Sequence, residues 1–360
     1  MVTASTLRSS APPAQDTHLL AADVGGTHAR VALARTRPAA AGECPVELLH
    51  GEVYNCADWP GLADLLVDFV AKLAHTPWRD EAQLQVCTLA CAGYVQADMV
   101  VNRNLPWPIS ISALRARLGI TRLEVINDFE ALAYAVPYVR PEEMRVLMAG
   151  NGSPAGLSAG PVVVMGPGTG LGCAAILPGP QGPQVLATEA AHISLAAGTP
   201  RELDILRMLA DPHQHVPVES ALSGPGLLNL YRAISTLRGE TPTLQTPAEI
   251  TTWALDGRSP AALEALNTFC ALLGSFAADL AALYSAHGGI LLAGGIVPKI
   301  EPFVQQSDFR RRFLHKGVLT AFLERVPVHV ISHGNLGVLG AACWLERTLT
   351  IEAKSRVDAL

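Results

Sequence analysis

Asp23 closes an apolar run, Leu19 to Val24, and Gly25, Gly26 and Thr27 follow almost at once. A turn of this composition has the parts for holding phosphate. Glycines let backbone N–H groups come close to an anion, and a threonine hydroxyl adds one more donor. A carboxylate at the end of the preceding strand suits Mg²⁺ or the waters around it. A second segment repeats the pattern: Pro161 to Met165 is apolar, and GPGTGLG follows over residues 166–172. Neither segment contains the GK[ST] of a Walker loop. A dinucleotide fold also wants a helix after its glycines, and none is read after the first loop. Ala29, Val31 and Leu33 alternate there with Arg30, Ala32 and Ala34. That is strand spacing, so the segment reads as a β-hairpin whose turn presents the glycines. Gly-Gly is common in ordinary tight turns as well, so the phosphate reading needs company from elsewhere in the chain.

Asn127 and Asp128 follow the strand-like Leu123 to Ile126 and open a helical segment running through Ala135. Taken alone, the pair reads as an ordinary helix cap. Cys87 and Cys91 are the one close cysteine pair among seven, and neither a second pair nor a histidine cluster accompanies them. Val86 to Ala92 reads as a core strand, where small apolar thiols fit better than a metal. The first 17 residues are a polar tail without the apolar centre of a signal peptide. Reduced thiols and no signal give a cytoplasmic expectation.

The elements that must position these residues alternate in type along 360 residues, which is an α/β pattern long enough for two domains. Residues 18–138 with 334–360 are expected as a small α/β domain, and 139–333 as a large one. Trp59 to Leu73 has helical spacing, Ser223 caps a further helix, and Pro260 to Ala286 is a long helix with a broad apolar face. The most apolar window, Ala271 to Val297, contains Asp279 and His287 and breaks at two Gly-Gly pairs, so it reads as a buried helix and strand and not as a membrane span. The net charge is −6, and the run Arg310-Arg311-Arg312 reads as a solvated helix face. Nucleic acid and anionic membranes are therefore excluded as expected partners. LLAADVGGTHARVALA and VVVMGPGTGLGCAAIL share one plan of strand, glycine loop and strand, which points to two related domains.

Taken together and in order, DVGGTHAR, EVINDFEA, GPGTGLG, EAAH, SGPGL and LLAGGIVP resemble the bacterial glucokinase family, from about Leu20 to about Leu345. The resemblance implies a two-lobed actin-like ATPase (sugar kinase) fold with its ligand cleft between the lobes. It implies ATP-dependent phosphorylation of the 6-hydroxyl of glucose or a related hexose, with Mg²⁺, in a homodimer. Asp128 matches the family's catalytic base, and Asn127 a sugar ligand. Glu189 and His192 match its E-x-x-H sugar pair, and Glu219 a second sugar carboxylate. Asn104, with Pro106 and Trp107, resembles the segment lining the sugar side. Asp23, Gly25, Gly26 and Thr27 match the first ATP loop, with Asp23 reaching the metal through water. Gly166, Gly168, Thr169 and Gly170 match the second loop, and Gly294 and Gly295 the adenosine side.

The sequence leaves that pattern at two places. The family usually has Asn after GGT, and here His28 stands there; its EGGH is here EAAH. Methyl groups on Ala190 and Ala191 restrict the backbone and change local volume. A pocket reshaped for N-acetylglucosamine or another modified hexose is one reading of this, and a catalytically weak sugar-binding regulator is another. Packing of the methyls into the large domain is the third.

Overall fold

The protein is described from a computed structural model, which covers residues 17–358 apart from 41, 82–83, 103–104, 153–156, 181, 212 and 333. Two units are present, one reaching to Ile126 and resuming at Ala341, the other spanning Asn127–Gly340.

The first unit is built on β1 (His18–Val24), β2 (His28–Thr36), β3 (Val46–Asn55) and β4 (Val86–Cys91). After a small antiparallel sheet of β5 (Tyr94–Gln96), β6 (Met99–Val101) and β7 (Ile109–Ser110), the chain returns as β8 (Arg122–Ile126). The main sheet has the order β3-β2-β1-β4-β8. β1, β2 and β3 are antiparallel neighbours, and β4 and β8 run parallel to β1. Helix α1 (Leu62–Leu73) buries Leu62, Leu65, Leu66, Phe69 and Leu73, the stripe expected of a 3.6-residue period. That stripe shares a core with Leu20, Ala22, Val31 and Leu33 of the sheet. Helix α2 (Ile111–Leu118) starts on the Ser110 side-chain cap and stops at Gly119, whose φ of 67° admits the turn.

The second unit repeats this plan. Its strands are β9 (Met144–Met148), β10 (Val162–Pro167), β11 (Leu171–Leu177), β12 (Gln184–Thr188), β13 (Gly289–Leu292) and β14 (Val328–Ile331), in the order β12-β11-β10-β13-β14-β9. Again a hairpin and a third antiparallel strand lie on one side, and two parallel strands follow on the other. β9 is the addition, antiparallel at the edge. The shared plan of the two glycine-loop segments is therefore a duplicated sheet topology.

Helices cover both faces of this sheet. Helix α3 (Asp128–Ala135) sits on one, with Phe129 and Leu132 packed among Val162, Val164, Ala174 and Leu291. On the other face α4 (Pro200–Leu209), α5 (Gly224–Leu237) and α6 (Pro247–Leu255) surround α7 (Pro260–Tyr284). Helix α7 is apolar enough to cross a membrane by length and composition, but it is the core helix here, burying Leu266, Phe269, Leu273, Phe276 and Leu280. Helices α8 (Val297–Gln306), α9 (Phe309–Leu314) and α10 (Thr320–Leu323) follow β13, and α11 (Leu336–Asp358) runs from the second unit into the first.

Two sequence expectations differ from what is observed. The contact boundary lies after Ile126, not after Tyr138, because α3 packs onto the second unit's sheet. Arg312 is not on a solvated face. It is only 2% exposed and forms a buried ion pair with Glu202 of α4. Arg310 and Arg311 do face solvent, with Arg311 paired to Asp308.

Candidate active site

In the first unit the β1–β2 turn exposes Gly25, Gly26, Thr27 and His28. It is closed by the Gly25 N–H donating to the His28 carbonyl at 3.0 Å, and Cys56 N–H holds the Thr27 carbonyl at 2.8 Å. Asp23 lies at the end of β1, opposite Arg30 in register, and is only 6% exposed. Its carboxylate is 3.9 Å from the Arg30 guanidinium, which offsets part of the cost of burying the charge. Trp107 spends its indole N–H within the unit, on the Trp59 carbonyl at 3.0 Å. Pro106 is exposed, and Asn104 falls outside the described residues.

In the second unit the β10–β11 turn is more heavily tied down. Gly168 N–H donates to the Gly170 carbonyl at 2.7 Å, and Gly224 N–H donates to the Gly168 carbonyl at 2.8 Å. Gly224 is the first residue of α5, whose start is capped by the Ser223 hydroxyl accepting from Gly226 N–H. Glu219 accepts from Leu171 N–H at 2.7 Å, and a Cβ on Gly170 would come within 2.6 Å of its carboxylate. A residue expected on the sugar therefore also braces the second glycine loop. Beside it, the backbones of Gly166 and Gly294 pack so closely that a Cβ on Gly166 would overlap the Ala293 carbonyl. Gly294 has φ of +81°, and a Cβ there would meet the Pro167 carbonyl at 2.6 Å. Gly295 faces open space.

Asn127 and Asp128 begin α3. The Asn127 side-chain oxygen accepts from Phe129 and Glu130 N–H at 2.9 and 3.1 Å, so the cap reading of this residue is realised. Asp128 is half-buried, and one of its oxygens accepts from Phe129 N–H at 3.0 Å. Burial pushes the neighbouring Glu130 carboxyl above its ordinary value, partly offset by the Asn127 backbone N–H. The helix is fixed in place by two glycines. A Cβ on Gly172 would overlap the Phe129 ring, and one on Gly340 of α11 would overlap the Ala131 carbonyl.

Glu189 precedes a 3-10 turn that His192 closes; both side chains are exposed, and His192 Nε2 lies 3.8 Å from a Glu189 carboxylate oxygen. Ala190 and Ala191 point the other way, at 7% and 3% exposure, into the core around Leu171, Cys173 and Val218. The turn is joined to the Glu219 segment through backbone. Val218 N–H donates to the Ile193 carbonyl at 2.9 Å, and His215 Nε2 lies 2.9 Å from the His192 carbonyl. Glu189, His192 and Glu219 thus belong to one hydrogen-bonded layer.

This set of loops and carboxylates is matched across the chain by known proteins. Residues 20–348 match the glucokinase family. The chain belongs to that family. A glucokinase-like protein of Xylella fastidiosa is 41% identical over 326 residues, covering 90% of this chain and 93% of its own. The glucokinase of Saccharophagus degradans is 35% identical, covering 91% and 98%. Among solved structures, glucokinase from an Antarctic psychrotroph superposes with a TM-score of 0.77 at 35% identity, covering 92% of this chain and all of the other. The fold is that of the actin-like sugar kinases, and membership at this level gives the activity, ATP-dependent phosphorylation of glucose.

Sequence reasoning missed the close contacts of Gly172 and Gly340 with Phe129 and Ala131 that seat α3. Gly172 stands inside GPGTGLG and Phe129 inside EVINDFEA. The motifs were visible, but the contact between them is a tertiary one.

Proposed function

We propose that Asp128 is the general base of this glucokinase family member and takes the proton of the glucose 6-hydroxyl as the γ-phosphoryl group transfers to that oxygen. The observation that carries this is the mounting of Asp128. It is the first residue of a helix whose second residue is seated on β11 at Gly172, two positions past the glycine loop 168–170. A carboxylate so placed is held near transferring phosphate without depending on a flexible segment.

Glu189, His192, Asn127 and Glu219 bind the sugar in this reading. Carboxylate oxygens accept hydroxyl protons, and a histidine can donate or accept, so together they can satisfy a ring of hydroxyls. Gly25, Gly26, Thr27, Gly166, Gly168, Thr169 and Gly170 hold ATP phosphates by backbone and hydroxyl donors, with Gly294 and Gly295 beside the nucleoside. Among the described residues no group of three or more His, Cys, Asp or Glu could form an all-protein metal cage. One buried carboxylate, Asp23, stands beside an exposed Gly-Gly-Thr turn. That donor set fits Mg²⁺, which keeps most of its waters and is held by few carboxylates together with substrate phosphates. Bound there, Mg²⁺ would neutralise charge on the β- and γ-phosphates.

Burial of both alanine methyls in EAAH favours glucose over a reshaped pocket for N-acylated sugars. The test is a coupled ADP-release assay over a panel of hexoses with Mg²⁺ and ATP. The reading requires glucose to give the highest kcat/KM. Preference for N-acetylglucosamine, or saturable glucose binding without turnover, would overturn it.

A further inference from the structure

Cys44 lies on the connection between β2 and β3, outside regular structure and half-buried, while the described residues from Arg37 to Glu43 are exposed. Its sulfur is 3.9 Å from that of Cys343 on α11, although 299 positions separate the two in sequence. Both are free thiols. The two sulfurs must close by about 2 Å to reach the length of a disulfide bond. We propose that Cys44 and Cys343 form a reversible redox site, in which Cys44 is the thiol that reacts with hydrogen peroxide and Cys343 resolves it to a disulfide.

The surroundings assign these two roles. The hydrogen bond with Cys343 draws the Cys44 thiol down to about 7, against the effect of burial, and the Arg37 guanidinium acts in the same sense. The Arg37 side chain is held nearby, donating to the Cys44 carbonyl at 3.1 Å. The nearby Glu346 carboxylate opposes this lowering, but the net shift is downward and favours the thiolate of Cys44, which is the reactive form. Cys343 is buried, and its thiol is pushed up by the same hydrogen bond and by burial. It is shielded from solvent oxidants but adjacent to Cys44. The other five cysteines are buried. Burial raises Cys56 and Cys87, and pushes Cys173 and Cys270 up to about 11 and about 12. Cys87 and Cys91 are four residues apart on one strand, about 13 Å, too far to bridge.

The chemistry balances with one peroxide. The Cys44 thiolate attacks a peroxide oxygen, the O–O bond breaks, and the departing hydroxide takes a proton to become water. Cys44 is now a sulfenic acid. The Cys343 sulfur then attacks the Cys44 sulfur, its proton leaves with the hydroxyl group as a second water, and the S–S bond forms. Two thiols lose two electrons in all, and the peroxide gains them.

The test exposes the reduced full-length protein to an equimolar amount of hydrogen peroxide, then counts thiols by maleimide labelling after denaturation and maps the peptides. The expected result is loss of two thiols of seven, one linked pair joining Cys44 to Cys343, and full recovery with dithiothreitol. Cys343→Ser should stop at a sulfenic acid on Cys44 that dimedone traps. Cys44→Ser should keep all its remaining thiols under the same exposure. Retention of every thiol in the unsubstituted protein, a linked pair lacking either residue, or oxidation of Cys343 in Cys44→Ser would overturn the proposal.

Discussion

The ring of Phe129 occupies the volume that a side chain on Gly172 would need. This contact ties the residue after Asp128 to the strand that leaves the second glycine loop. Gly172→Ala should therefore displace α3 at its first turn. Overpacking of this kind costs about 1–3 kcal/mol of stability. A shift of about 1 Å at a catalytic group costs on the order of 10²-fold in rate, so kcat should fall while KM for ATP changes little. Phe129→Leu in the same chain should restore part of kcat by making room. Steady-state kinetics of the single and double variants check this. An unchanged kcat in Gly172→Ala would mean that α3 is not positioned through this contact.

Asp128→Asn should remove turnover and spare sugar binding. Asparagine keeps the shape and can still accept from Phe129 N–H, but it is not a useful base. Loss of general-base help costs roughly 10²–10⁴-fold in kcat. Folding should lose only about 0.3–1 kcal/mol, from the weakened charge at the helix N-terminus. Glucose titration by calorimetry beside the kinetic assay separates these effects. Near-normal turnover would move the base assignment to another group.

The glycine hairpins and the helix start at Asn127-Asp128 were legible because their signals are local. Alternation over Ala29 to Ala34 and the Asn-Asp pair after an apolar strand need no tertiary knowledge. β12, Gln184–Thr188, is a largely exposed edge strand without a clean apolar face, and it was not read from sequence. β3 was missed for a related reason: its pairing with β2 shifts register near Leu33, which blurs the alternation. The family resemblance supplied roles for Asp128, Glu189, His192 and Glu219 but not the brace between Glu219 and Leu171, which joins residues 48 apart. The direction of the Ala190 and Ala191 methyls was equally hidden, since a short turn has no periodicity to read.

Arg312 illustrates the same limit and gives a prediction. Three consecutive arginines look solvated, yet the third pairs with Glu202 in the core, and its guanidinium fills the space that a Cβ on Gly198 would need. Glu202 in turn accepts from Gly198 N–H at 2.7 Å. Arg312→Met would leave a buried carboxylate without its cation, at a cost of about 3–5 kcal/mol. Adding Glu202→Gln should recover part of that. Denaturant melts of the single and double variants measure it, and a single-variant loss under about 1 kcal/mol would show that the pair is replaceable.

Asp23→Asn should weaken the Mg²⁺-dependent step and leave glucose affinity alone. The substitution keeps the volume beside Arg30 but removes the charge expected to orient metal-bound waters. Velocity measured against Mg²⁺ at saturating glucose should shift to higher metal concentration, with kcat/KM for MgATP down at least about tenfold, equivalent to about 1.4 kcal/mol. A defect confined to the KM for glucose would contradict the placement of the β1–β2 turn on phosphate.

The EAAH segment brings the sequence departure to a decision. Replacing Ala190 and Ala191 together by glycine removes two buried methyls from the core around Leu171 and Val218. Each loss combines up to about 0.8 kcal/mol of buried apolar surface with about 0.4–1 kcal/mol from the freer unfolded chain. The variant should melt several degrees lower. Glu189 and His192 lie on the exposed side of the same turn, so the ratio of kcat/KM for glucose to that for N-acetylglucosamine should stay where it was. The stability term and the selectivity term are thus separated by which way two methyl groups point. A changed sugar ratio with an unchanged melt would mean that the alanines act on the ligand and not on the core.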